Sequence, residues 1–186
     1  MSVSYKLATN QDSQLVKDII NQMYGSEYEK RENKDIGKAI DDKKEIYILA
    51  YENGKCIGFS GASLNNDCYS DIITPDVAVI DYIFVSKDAR DISVSFSLIS
   101  NIIEILIIMN VKQAIMQVQT YNKQRFFHYA LSDKKIIKST TIEIKGQVYE
   151  DQILLIEDLS KIKNMSIRDL MIKAHKYSIG DKIKNS

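Results

Sequence analysis

Apolar residues recur at Leu15, Val16, Ile19, Ile20 and Met23, which is the spacing of one face of an α-helix, with Gly25 as its stop. Asn10 to Asp12 supply capping side chains just ahead of it, and Val3 to Ala8 alternates as a first strand should. The stretch from Ser26 to Lys44 is highly charged and carries only a weak apolar spacing at Ile36, Ala39 and Ile40. It reads as a mobile segment with a short second helix. Glu45 to Tyr51 and Lys55 to Leu64 are apolar runs joined through Asn53-Gly54, the dipeptide that most readily takes the positive φ angles of a tight hairpin turn. Asn65 to Asp76 is polar, holds the single proline, Pro75, and reads as a surface loop. Val77 to Val85 is a near-continuous apolar run broken by Asp81, the pattern of a central strand with one carboxylate.

Ser86 to Ser95 reads as a loop, and Phe96 to Met109, apolar almost all round, as a helix buried on most of its surface. Lys112 to Gln119 follows as a strand and Asn122 to Leu131 as a short helix. Ile136 to Ile144 and Val148 to Ile156 form a second hairpin turning at Lys145-Gly146. The resulting order, β-α-α-β-β-β-α-β-α-β-β, predicts an α/β layer fold: a mixed, mainly antiparallel sheet of six or seven strands with helices on both faces. Residues 1–160 make one domain on this reading and 161–186 a helical extension. In the extension Ser166 and Asp169 form a capping box ahead of Ile167, Leu170, Met171 and Ala174, and the helix ends near Gly180.

Charge changes this picture in one respect. The chain has 25 basic and 25 acidic residues, so no global field favours nucleic acid or an anionic membrane as partner. Residues 161–186 nevertheless carry seven Lys or Arg against two Asp, a net of +5 that leaves −5 on the remainder. A basic amphipathic tail beside an acidic body should dock on it, within the chain or across a homodimer. The N-terminus lacks a basic-then-apolar leader pattern, and the apolar stretch from Ile102 to Met109 is too short to span a bilayer. The expected location is the cytoplasm. Cys56 and Cys68 have no cysteine or histidine at ligand spacing and read as reduced thiols, so no metal is expected. His128 and His175 are the only histidines. That leaves carboxylates, tyrosine and backbone amides to carry the chemistry.

Two segments sharpen the reading. Residues 79–95, Val-Ile-Asp-Tyr-Ile-Phe-Val-Ser-Lys-Asp-Ala-Arg-Asp-Ile-Ser-Val-Ser, resemble the fourth strand and following loop of a GNAT N-acetyltransferase, whose pattern is (Arg/Gln)-x-x-Gly-x-(Gly/Ala). Arg90 falls on its leading position. Asn122 to Leu131, Asn-Lys-Gln-Arg-Phe-Phe-His-Tyr-Ala-Leu, resembles the family's Asn-x-x-Ala-x-x-Phe-Tyr helix, with Asn122 and Tyr129 at the family's separation. The resemblance spans about residues 3–156. It departs from the pattern where Ser93 and Ser95 replace the two glycines, Arg125 the alanine and Lys87 the loop proline.

The resemblance implies transfer of an acetyl or short acyl group from acetyl-CoA to a primary amine, by direct attack through a tetrahedral intermediate. Loop amides over Asp91, Ile92, Ser93, Val94 and Ser95, with Arg90, would receive the CoA pyrophosphate. Backbone N–H groups at Phe84 or Val85 would bind the thioester oxygen, and Asn122 the pantetheine arm. Asp81, a carboxylate inside an apolar strand, is the candidate base, directly or through a held water. Tyr129, protonated at neutral pH, is the candidate acid for the leaving thiolate. The acceptor would be a small-molecule or peptide amine, and the acidic side chains of Asp67, Asp71, Asp76, Glu27, Glu29, Glu32 and Asp35 permit a cationic one. Because serine restricts backbone approach where glycine does not, the loss of both loop glycines keeps a second reading open: a GNAT-fold module that binds or regulates without catalysing.

Overall fold

The structure, a computed structural model, describes residues 2–24, 35–64, 69, 71, 74, 76–89, 91–122 and 124–184. Gly25, Pro75, Cys68 and Arg90, each singled out above, lie outside the described residues. The strands are β1 (Ser4–Leu7), β2 (Glu45–Glu52), β3 (Lys55–Leu64), β4 (Val77–Val85), β5 (Gln113–Gln119), β6 (Ile136–Ile144) and β7 (Gln147–Ile156). The α-helices are α1 (Ser13–Tyr24), α2 (Ile36–Asp41), α3 (Ile92–Ile108), α4 (Arg125–Ser132), α5 (Leu159–Lys163) and α6 (Ile167–Lys184). Among the described residues the sheet has seven strands, in the order β1-β2-β3-β4-β5-β7-β6. Pairs β1/β2, β2/β3, β5/β7 and β6/β7 are antiparallel and β4/β5 is parallel, which is the mixed, mainly antiparallel architecture expected from the order of elements.

Both hairpins turn where the sequence places them. Asn53 and Gly54 have φ of 51° and 75°, and Lys145 and Gly146 of 52° and 75°, the paired positive angles that match the twist of the flanking strands. Two compact units emerge: residues 1–72 with 81–102, and residues 73–80 with 103–186.

In the first unit Val16 and Ile20 of α1 pack on Tyr47 and Leu49 of β2, Phe59 of β3 and Tyr82 of β4, with Ala8 closing the cluster. Three of these rings form a stack, with centroids 6.2 Å apart for Tyr47–Phe59, 6.3 Å for Tyr47–Tyr82 and 5.8 Å for Phe59–Tyr82. Gly61 permits it, since a Cβ there would stand 2.7 Å from the Tyr47 ring and 2.8 Å from the Tyr82 ring. On β3 the alternate residue Ser60 is buried and donates to the Leu98 carbonyl of α3 at 3.0 Å, so the two faces of this strand meet different helices.

In the second unit β5, β7 and β6 form an antiparallel run, and β4 joins β5 over Val77↔Gln113 to Ile80↔Met116. Helix α6 docks on α4 within the chain. Tyr177 meets Tyr129 edge-on at 6.0 Å, Asp181 pairs with Arg125 at 2.7 Å and Lys173 with Asp133 at 2.8 Å. Leu170 and Ala174 are buried as expected for the docked stripe, whereas Ile167 is half-buried and Met171 is 49% exposed.

Three further expectations need correction. Helix α3 begins at Ile92 rather than Phe96, so Ile92 to Ser95, read as loop, form its first turn. Helix α4 starts at Arg125 and leaves Asn122 ahead of it. Helix α6 runs through Gly180 to Lys184, because no C-cap geometry forms at that glycine. Helix α5, capped by Asp158 accepting from the Ser160 amide at 3.0 Å, is too short to leave a periodic trace.

Candidate active site

The candidate residues divide between the two units. Asp81, Phe84, Val85, Asp91, Ile92, Ser93, Val94 and Ser95 belong to the first, Asn122 and Tyr129 to the second.

Asp81 is half-buried on β4, and Ser63 of β3 donates its hydroxyl to Asp81 Oδ2 at 2.6 Å. Ser63 is itself buried and stands opposite Glu45 in the β2/β3 register. Glu45, also buried, accepts from the Tyr47 hydroxyl at 2.7 Å. Two carboxylates, each held by a hydroxyl, therefore sit on β2 and β4, the strands on either side of β3. Sequence reasoning found Asp81 and missed Glu45 and Ser63. A charged residue opening the apolar run Glu-Ile-Tyr-Ile-Leu-Ala was the available signal for Glu45.

Phe84 is half-buried and Val85 buried at the end of β4. The Phe84 carbonyl lies so close to Gly58 that a Cβ there would meet it at 2.6 Å, and the next residue, Ser86, donates its amide to the Ile57 carbonyl at 2.8 Å.

Asp91 is the N-cap of α3. Its carboxylate accepts from the Ser93 amide at 2.8 Å, and its carbonyl from the amides of Val94 at 3.1 Å and Ser95 at 3.3 Å. A helix N-terminus is an anion site by virtue of its unpaired amides and dipole. Here the chain's own carboxylate takes the Ser93 amide. A CoA pyrophosphate would meet the Ser93 amide only once the Asp91 carboxylate swings away, and the hydroxyls of Ser93 and Ser95 would then add donors.

Asn122 initiates α4: its Oδ1 accepts from the Gln124 amide at 2.9 Å and its carbonyl from the Arg125 amide at 3.0 Å. Seven residues on, Tyr129 is 3% exposed, and its hydroxyl donates to Gln152 Oε1 on β7 at 2.8 Å. Gln152 is buried and its amide nitrogen donates to Glu150. Burial pushes the Tyr129 phenol above its usual range, Arg125 opposes the rise, and Asp181 and Glu150 add to it. The phenol is therefore protonated at neutral pH. The sequence signal for Gln152 was a polar residue at an inward position of the period-two run that continues with Leu154 and Ile156.

Of the residues judged non-catalytic, His128 is half-buried with Nδ1 3.1 Å from the Gln124 carbonyl, and His175 is exposed. Burial raises the Cys56 thiol pKa, and the hydrogen bond to the Gly58 carbonyl counters it.

No curated protein matches the chain. Among solved structures it is similar to an N-acetyltransferase from Staphylococcus aureus Mu50, at 13% identity and a TM-score of 0.62 over 86% of this chain and 99% of that one. It is similar as well to an acetyltransferase of the GNAT family from Streptococcus pneumoniae, at 14% identity and a TM-score of 0.62 over 83% and 98%. A ribosomal-protein-alanine N-acetyltransferase from Brucella melitensis gives 13% identity and a TM-score of 0.61 over 82% and 98%. At such identities these likenesses establish the fold. The family model for acetyltransferases of the GNAT type matches residues 13–129, well over half of the 186 residues, and the chain therefore belongs to the acetyltransferase (GNAT) family.

Proposed function

We propose that the chain transfers an acetyl or short acyl group from acetyl-CoA to a primary amine. The observation that carries this reading is the Ser63–Asp81 pair: a carboxylate held in a defined orientation by a buried hydroxyl, on the strand whose sequence carries the family resemblance. A carboxylate that accepts such a bond is kept ionised and able to take a proton from an acceptor ammonium, directly or through a held water. The freed amine nitrogen then attacks the thioester carbonyl carbon. A main-chain N–H at Phe84 or Val85 would steady the developing oxyanion. As the intermediate collapses, the C–S bond breaks and the thiolate takes a proton from Tyr129, whose hydroxyl must first turn from Gln152; the excess proton left on the nitrogen passes to solvent, from which the phenolate regains its own. Asn122 would hold the pantetheine arm, and Arg90 with the first turn of α3 the pyrophosphate. The proposed location is the cytoplasm, and the proposed acceptor a small-molecule or peptide amine.

One observation favours a second reading. Asp91 caps the amides that the pyrophosphate would need, as a fold retained for binding or regulation would tolerate. Thermal melting with and without millimolar acetyl-CoA separates the two, because a ligand that binds only the folded chain stabilises it by mass action. A melting rise with acetyl-CoA, together with release of free CoA thiol when primary amines are added, is the outcome expected here. No rise and no release would leave the second reading standing.

A further inference from the structure

Of the two ion pairs by which α6 meets α4, one runs against the charge of both helix ends. Arg125 opens α4, and Asp181 lies in the last turn of α6. A helix carries partial positive charge at its N-terminus and partial negative charge at its C-terminus, so each residue is disfavoured where it stands. Paired at 2.7 Å, with side chains only 18% and 31% exposed, they relieve one another. The other pair, Lys173–Asp133, docks the same helix but is more open, at 38% and 67%. A sequence that breaks a local rule twice to make one contact points to a role for that contact.

The contact reaches beyond the pair. Arg125 Nη2 donates to Asp181 Oδ2, while Nη1 donates to the Asn122 carbonyl at 3.2 Å. The same guanidinium lies 4.3 Å over the centroid of the Phe126 ring. Phe126 meets Tyr129 edge-on at 6.2 Å, and Tyr177 of α6 does so at 6.0 Å. One guanidinium thus links Asn122 to α6, and rings from both helices pack on Tyr129. All of these residues belong to the second unit. Arg125 replaces the alanine of the family pattern, which could make none of these bonds, and α6 lies beyond the matched residues 13–129. The link therefore joins a departure from the pattern to a segment outside the family match.

We infer that Arg125 and Asp181 are positioning residues that brace Asn122 and Tyr129 from the C-terminal helix. A planar guanidinium suits this work because its rigid fork bonds two partners at once, which an ammonium on a flexible stem does not do in a fixed geometry. Their effect on turnover rests on the acyl-transfer reading, whereas the brace itself is a property of α4 and α6.

The test compares the intact chain with Asp181→Ala, Arg125→Lys and, as a control, Lys173→Ala, which severs the other α6–α4 ion pair. Isothermal titration reads CoA binding, steady-state kinetics read kcat with a primary amine, and NMR of the free chain reads the Asn122 amide and Tyr129 ring resonances. In Asp181→Ala, CoA binding should weaken about threefold or more, kcat should fall about tenfold or more, and both resonances should move or broaden. Lys173→Ala should change none of these, and Asp181→Glu should return most of the loss. Arg125→Lys keeps the charge that pairs with Asp181 but not the fork, so it should lose binding and turnover without losing the dock, and it decides the matter should Asp181→Ala melt below the assay temperature. Equal losses in Asp181→Ala and Lys173→Ala, or unchanged resonances, CoA binding and kcat in Asp181→Ala, would overturn the brace and leave acyl transfer intact. Resonances displaced by Asp181→Ala and not by Lys173→Ala, in an intact chain that neither binds CoA nor turns over an amine, would uphold the brace and overturn acyl transfer.

Discussion

The hydroxyl of Tyr129 donates to Gln152 Oε1 at 2.8 Å, and both side chains are buried. Tyr129 therefore has a structural partner as well as its proposed role as proton donor, and the two can be separated. Tyr129→Phe leaves Gln152 Oε1 without a donor, so stability should fall by about 1–3 kcal/mol, and kcat by tenfold or more if the phenol protonates the thiolate. Adding Gln152→Leu removes the stranded acceptor and should restore most of the stability but none of the turnover. Denaturant titration and steady-state kinetics on the two variants check this. Recovery of kcat in the double variant would assign Tyr129 to packing alone.

Ser63 offers a handle on the base. Ser63→Ala takes away a hydrogen bond that the ionised Asp81 accepts, so the protonated carboxyl gains relative to the carboxylate. The acid limb of the kcat/KM profile should move to higher pH, and Ser63→Thr should return it. An acid limb that stays in place in Ser63→Ala would remove Asp81 from the proton path.

Asp91 sets stability against cofactor binding. Asp91→Asn keeps a cap for the Ser93 amide while deleting a negative charge near the proposed pyrophosphate, and should tighten CoA binding at little cost in stability. Asp91→Ala should tighten binding too while losing about 0.5–2 kcal/mol of capping. Isothermal titration with CoA reads the first effect and denaturant titration the second. Weaker CoA binding by both variants would contradict a pyrophosphate at this turn.

How much of this could be read from the sequence depended on whether the signal was local. Asn53-Gly54 and Lys145-Gly146 announce their hairpins because the angles they need are a property of those residues alone. The start of α3 was hidden because Ile92-Ser93-Val94-Ser95 is β-branched and polar, yet Asp91 was a cap in plain view. Met171 was assigned to the docked stripe from its spacing, but the face that α6 turns to α4 is centred on Leu170, Ala174 and Tyr177. The Ser63–Asp81 and Tyr129–Gln152 bonds were beyond reach, since each depends on which strand or helix lies beside which.

His128 gives a pH test. Burial drives its imidazole below the ordinary value of 6.5, and the bond to the Gln124 carbonyl only partly offsets this. The folded chain holds the ring neutral at a pH where the unfolded chain takes up a proton. Its share of stability is present above pH ~6.5 and is lost as pH falls through the lower, folded value. The melting temperature should therefore decline from pH 7 to pH 5, and less so in His128→Gln. Parallel declines in the two proteins would assign the effect to other groups.

The contrast between the two hairpins and the β4/β5 ladder bears on how the chain assembles. Each hairpin closes over a two-residue turn, one in each compact unit, and such hairpins form within ~1–10 μs. The parallel pairing of Val77–Ile80 with Gln113–Met116 must instead close a loop that contains the whole of α3, at a larger entropic cost and lower speed. On dilution from denaturant the hairpins should appear first, while the strand that carries Asp81 is set last. Recovery of acyl transfer should then trail recovery of the far-ultraviolet circular dichroism, with the pairing of β4 to β5 as the step that separates them.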